Sequence, residues 1–172
     1  MILSLYCRTM IRIDPITTAN AHLFRHVRLR ALQDSPAAFG STFAREAAFE
    51  DADWALRVQH WNGEQGIGFL AIDDTQLCGI AGALLEEPGR AQLVSMWTAP
   101  EYRQRGTGRL LVQAAIDWAV SRGVQLLTLM VTSPNDSAQR FYERLGFART
   151  GRSKPWPNNP AILEWEMARA LD

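Results

Sequence analysis

RQRGTGRL, residues 103–110, is the stretch on which the reading of this chain turns. It packs two arginines and two glycines into six residues, directly before an apolar-periodic run. From Thr107 to Arg122, Leu111, Ala114, Ala115 and Trp118 recur at helical spacing, and Gly123 supplies a carboxyl-end cap. Upstream, AQLVSMWT at 91–98 reads as a strand that Pro100 stops, because proline has no N–H for a continuing ladder. The glycine turn therefore leads from a strand into the amino end of a helix. Such ends expose unpaired N–H groups and attract anions, and glycines at 106 and 108 let the backbone approach a bulky phosphate. Arg103 and Arg105 can add charge-assisted contacts.

The turn lacks the lysine of a Walker A loop, which argues against a nucleotide triphosphatase. It also lacks the third glycine of a dinucleotide fingerprint and falls two thirds of the way along the chain, which argues against a Rossmann domain. Working outward, IGFLAID at 67–73 and LCGIAGALL at 77–85 read as an antiparallel hairpin about Asp74, Thr75 and Gln76. VQLLTLMV at 124–131 is nearly continuous in apolar character, as expected of a strand covered on both faces, and completes a parallel crossover. Asn135, Asp136 or Ser137 can cap a following helix whose apolar side carries Ala138, Phe141, Tyr142 and Leu145, and Gly146 ends it. FART and ILEWEMA supply the last two strands.

Nearer the amino end, IRI at 11–13 reads as a strand, and Thr17 or Thr18 as the cap of a helix presenting Leu23, Val27 and Ala31. A second helical region is expected over 42–61, with Trp54, Val58 and Trp61 along one core-facing side. A length of 172 residues suits one core, and residues 1–9 read as an N-terminal extension to a domain at 10–172. Apolar residues make up 47% and charged residues 21%, as in globular domains. Basic and acidic residues balance at 18 each, so general attraction to nucleic acid is not indicated. MILSLYC lacks a basic leader, so neither a secretory signal nor a membrane association is expected. Cys7 and Cys78 have no CxxC spacing, which fits a cytoplasmic protein. His22 and His26 are four apart but lack an HExxH context and a carboxylate partner, so no metal is expected. His60 is read as structural.

In order and spacing, RQRGTG at 103–108, Asn135, Ala138, Tyr142 and the Gly146-Phe147 pair resemble the GNAT family of N-acetyltransferases. The resemblance implies a single-domain α/β fold: a central mixed, mostly antiparallel sheet with flanking helices, whose parallel strands at 91–98 and 124–131 splay to receive acetyl-coenzyme A. It implies backbone contacts to the pantetheine arm from Met96, Trp97 and Thr98. It places the pyrophosphate on the turn, with Arg103, Gln104, Arg105, Gly106, Thr107, Gly108 and Arg109 around it. Asn135 either bonds the coenzyme or caps its helix, Ala138 lies beside it, and Tyr142 resembles the family's proton donor to the leaving thiolate.

The general base is less defined, since 88–100 contains no carboxylate. Glu86 and Glu87 are the candidates, beside a water chain or backbone carbonyl. For the acceptor, Phe39, Phe43, Glu46 and Glu50 form one expected wall and KPWPNNP at 154–160, with Trp156, the other. The alternative reading makes Phe39 and Phe43 core packing and Trp156 a loop anchor. The expected reaction is acetyl transfer to the primary amine of a small molecule by direct attack. Protein N-terminal acetylation and an acyl-coenzyme A sensor are the alternatives, and the resemblance makes a homodimer plausible.

Overall fold

Alternating and continuous apolar runs commit most of the chain to one sheet, and the two helical periodicities cover its faces. The computed structural model describes residues 10–172; the extension expected over 1–9, with Cys7, lies outside the described residues. In chain order the elements are β1 (Arg12–Pro15), α1 (Ala21–Asp34), α2 (Phe43–Ala47), α3 (Asp51–Trp61), β2 (Asn62–Gly63), β3 (Gly66–Asp73) and β4 (Gln76–Glu87). There follow β5 (Arg90–Thr98), α4 (Thr107–Ser121), β6 (Leu126–Thr132), α5 (Asp136–Arg144), β7 (Ala148–Trp156) and β8 (Asn159–Ala170). The sheet order is β1-β3-β4-β5-β6-β8-β7, with β2 beside β3. Only β5 and β6 pair in parallel; the other ladders are antiparallel.

Phe24, Val27 and Leu32 of α1 and Trp54 and Val58 of α3 bury against Leu70, Ile72, Ile80 and Trp97 on one face. Leu111, Val112 and Ala115 of α4 bury against Ala71, Ala81 and Leu127 on the other, joined by Tyr142 of α5 and Phe147. Burial of a large apolar side chain contributes ~1.5–3 kcal/mol, so the stripe at 54 and 58 belongs to stabilisation.

The helical region expected over 42–61 is two helices. Thr42 Oγ1 accepts the Arg45 N–H at 3.2 Å to cap α2, and Asp53 accepts the Glu50 N–H at 2.9 Å to start α3. In-phase apolar positions concealed the second cap. The terminal strands are longer than expected, so that only Pro157 and Asn158 remain between them. Pro155 is tolerated because β7 is the sheet edge, where its missing donor breaks no ladder on the open side.

One departure from regular pairing shapes everything that follows. β5 meets β6 only where Arg90, Ala91 and Gln92 oppose Leu126, Leu127 and Thr128. β6 stays paired with β8 through Thr132, while β5 bulges: Ile80 opposes Trp97 and Gly82 opposes Val94, so β5 spends an extra residue there. Ser95, within the bulge, holds a φ of 55°, a left-handed conformation uncommon outside glycine. A bulge bends its strand and increases local twist. Past Gln92 the two strands diverge, and the edge of β5 is left open to a ligand.

Candidate active site

The opening holds a cavity of about 300 Å³. Val94, Ser95 and Met96 line it from β5, Met130 and Thr132 from β6, and Asn135, Ala138 and Tyr142 from the α5 side. Arg28, Phe39 and Gly40 close it on the α1 side, and Lys154 of β7, Glu164 of β8 and Pro157 between them on the other. The volume sits at the lower end of ligand sites.

At the α4 end, consecutive residues of the glycine turn leave backbone donors free. Leu110 donates to Gly106 O at 3.1 Å, the first turn of α4. Among the described residues, the N–H groups of Arg105 through Arg109 have no recorded acceptor. Gly106 caps the helix at φ 86°, and a Cβ there would meet nothing within 4 Å, so its glycine serves conformation. Gly108 differs: its Cβ would lie 3.0 Å from Phe141 and 3.3 Å from Met96, so glycine there permits α4 to close on α5 and β5. Thr107 is buried, its hydroxyl turned back to Tyr102 O at 3.3 Å. Gln104, at φ 62°, and Arg109 are exposed. Arg105 stacks over Tyr102, 5.5 Å from the ring centre, without a carboxylate partner among the described residues. The donors, the cap and Arg105 fit a coenzyme A pyrophosphate.

Arg103 departs from its expected charge role. Its Nε donates to Thr98 O at 3.0 Å and its NH2 to Asp34, so the side chain staples the turn to the end of α1. Trp97 is 4% exposed and its Nε1 donates to the same Asp34 at 2.9 Å; its side chain is core, leaving only its backbone for a ligand. Burial works against the Asp34 charge, but hydrogen bonds from Ser35, Trp97 and Arg103 hold its carboxyl below the ordinary range.

Of the two roles weighed for Asn135 the cap is formed, Oδ1 accepting the Ala138 N–H at 3.1 Å; the residue also lines the cavity. Tyr142 is 8% exposed, lines the cavity, and packs edge-on to Phe141 and Phe147. Burial pushes its phenol up, so it stays protonated at neutral pH. Cys78 is fully buried and its thiol is pushed up to about 11, chiefly by burial and then by Asp73, which makes it a poor nucleophile.

The acceptor side corrects several expectations. Glu86 and Glu87 do not line the cavity; they lie toward the end where β5 and β6 remain paired and are drawn to Arg90, at 2.9 Å and 4.0 Å. Phe39 does line it, but Phe43 faces outward at 36% exposure. Glu50 is exposed. Glu46, expected to attract an amine, is fully buried and saturated by Arg28 (3.0 and 2.8 Å) and Arg57 (2.6 Å). Trp156 is a loop anchor whose Nε1 donates to Phe39 O at 3.2 Å. His22 and His26 are exposed on α1, His60 Nδ1 lies 3.0 Å from Leu56 O, and no metal-holding cluster occurs among the described residues.

Arg28, Ser95 and Glu164, which the sequence did not single out, complete this wall. Arg28 bridges Glu46 and Ser95 Oγ, the latter at 3.1 Å, and so clamps the bulge. Phe39 lies under its guanidinium at 4.6 Å. Glu164 and Lys154 face each other at 4.0 Å. ILEWEMA held a signal for the first of these: two carboxylates two residues apart share one face of an otherwise apolar strand.

The chain is 31% identical over 144 residues to a mycothiol acetyltransferase of Mycobacteroides abscessus, covering 80% of this chain and 48% of that one. It is 33% identical over 90 residues to an uncharacterized N-acetyltransferase of Methanocaldococcus jannaschii, covering 52% and 38%. It thus spans half or less of the length of these curated relatives. In fold it matches the crystal structure of a ribosomal-protein alanine N-acetyltransferase from Escherichia coli, with a TM-score of 0.69 and 23% identity over 95% of both chains. A family model described as the acetyltransferase (GNAT) family matches residues 29–147, the segment that carries the splayed strands, the glycine turn and Tyr142, and the chain belongs to that family.

Proposed function

We propose that the protein moves an acetyl group from acetyl-coenzyme A to the amine of a small molecule, by direct attack within a ternary complex. The α4 turn would hold the pyrophosphate and the open edge of β5 the pantetheine arm, whose thioester supplies an activated acetyl group. Tyr142 stands as the proton donor to sulfur, and the poor nucleophilicity of buried Cys78 supports transfer without an acyl-protein stage. Relatives are named for mycothiol and for a ribosomal protein, so the choice of acceptor rests on this chain's own cleft.

The observation that carries the small-molecule reading is a strap across the acceptor side. Asn158 Nδ2, between β7 and β8, donates to Phe39 O at 2.9 Å and Ser41 O at 3.3 Å, beside the Trp156 bond to the same Phe39 carbonyl. Pro157 sits against Gly40 and lines the cavity. An extended polypeptide laid between these loops would have to break the strap; a small amine fits beneath it. Thiol release should therefore be followed with acetyl-coenzyme A across small amines and amino-terminal peptides. The best small amine is expected to exceed the best peptide at least about tenfold in kcat/KM, a difference of ~1.4 kcal/mol. Preference for peptides, or coenzyme binding without turnover of any acceptor, would overturn the reading.

A further inference from the structure

The expected carboxylates having been spent elsewhere, the cavity still contains one. Glu164 of β8 opposes Thr132 of β6, and directly opposed side chains share a sheet face. Thr132 Oγ1 donates to Ala37 O at 3.1 Å, which identifies that face as the α1 and acceptor side. Glu164 is the only acidic residue among those lining the cavity that Tyr142 also lines, and its side chain is 13% exposed. No hydrogen bond to its carboxylate is recorded among the described residues, and Lys154 Nζ, at 4.0 Å, stands beyond hydrogen-bond reach. A largely buried carboxylate without a donor lacks the solvation that an ammonium ligand would restore. Glu46 cannot serve in its place, being held by Arg28 and Arg57. Nor can Glu166, two residues along the same face of β8, which is held by Arg90 and Thr150.

Resting on the amine-acetylation reading, we infer that Glu164 is the general base that takes the proton from the acceptor ammonium inside the cleft. Burial pushes its carboxyl above the ordinary range, with Lys154 pulling the other way, which brings it nearer the working pH of a base. The charged and titratable groups around it are Lys154 on β7, Arg28 on α1 with its partner Glu46, Tyr142 on α5, and the Glu166–Arg90 pair. In the step, the ammonium gives one proton to Glu164, which passes it to solvent. The freed nitrogen pair forms the C–N bond to the thioester carbonyl. The C–S bond breaks with its electrons on sulfur, which takes the Tyr142 proton, and the second proton leaving nitrogen restores the phenol.

The test compares wild type with Glu164→Gln on acceptors differing in basicity: an alkylamine, with an ammonium pKa of about 10.4, and a fluorinated analogue of it that is already neutral at the assay pH. The glutamine keeps shape and loses the base. The alkylamine is expected to lose ~10²–10³-fold in kcat/KM and the neutral amine less than about tenfold. The acid limb that Glu164 sets in the wild-type alkylamine profile is replaced in the variant by a rise with pH that follows deprotonation of the amine itself, while calorimetric acetyl-coenzyme A affinity stays within about twofold. Equal losses for both amines would mark a structural role and overturn the inference while leaving the acetylation reading intact. Failure of wild type to turn over any amine would overturn both.

Discussion

Truncating Glu46 to alanine asks whether the acceptor wall is held together by internal charge or exists to attract substrate. Glu46 is fully buried and opposes Arg28, whose side chain is 6% exposed, and Arg57, at 32%. Glu46→Ala leaves both guanidiniums without their counter-charge. Removing one partner of a buried pair costs ~3–5 kcal/mol, and the partial exposure of Arg57 places the expected loss at about 3–4 kcal/mol. For a domain of this size ~1 kcal/mol shifts Tm by ~2–4 °C, so a fall of about 6–16 °C is expected. Urea unfolding and calorimetry read the loss directly.

The same variant has a signature in acid. Burial opposes the Glu46 charge, but the Arg28 hydrogen bonds and the charges of Arg28 and Arg57 outweigh it and hold the carboxyl below its ordinary 4.5. A group whose folded pKa is depressed contributes stability that is present above its unfolded pKa and lost as pH falls through the folded one. Wild type should lose stability on acidification below about pH 4.5 more steeply than Glu46→Ala. A loss below about 1 kcal/mol at neutral pH, or a large rise in amine KM at unchanged stability, would refute the reasoning and return Glu46 to substrate recognition.

Tyr142→Phe is expected to lower kcat ~10²–10⁴-fold while acetyl-coenzyme A affinity stays within about twofold, and unchanged turnover would remove its acid role. In the phosphate turn, Gly106→Val meets a left-handed backbone that costs a side chain roughly 1–2 kcal/mol, so acetyl-coenzyme A Kd should rise about tenfold by titration calorimetry. Arg103→Ala should instead lower Tm with little change in Kd, because its guanidinium is committed to Asp34 and Thr98. Weaker coenzyme binding by this variant at unchanged Tm would restore its charge role.

What could be read from the sequence was local. The free N–H groups at 105–109 belong to consecutive residues, so a glycine turn entering a helix was enough to find them. Asn135, Ala138 and Tyr142 share one helical repeat, and their phasing placed them together. What escaped was set by register and long-range partners. Arg28 meets Glu46 across 18 positions and Ser95 across 67, and no spacing rule joins them. The bulge at Ser95 has no glycine to announce it, and Glu86 and Glu87 lie near β5 in sequence but at its paired end in space.

These two classes of residue imply different tolerance to change. The donor end relies on main-chain N–H groups, which survive most side-chain substitutions as long as Gly106 keeps its conformation. The acceptor end relies on a chain of dependence: Ser95 holds a backbone state that costs of order 1–3 kcal/mol, Arg28 fastens it, and Glu46 compensates Arg28 within the core. Strand pairing alone does not produce the cleft, because regular pairing would have continued β5 along β6 past Gln92. The bulge that borders the opening is thus braced by side chains from three separate elements, Ser95, Arg28 and Glu46. Changes of acceptor should be reached more readily through Phe39, Lys154 and the strap at 156–158, which border the opening, than through the clamp that braces the bulge beside it.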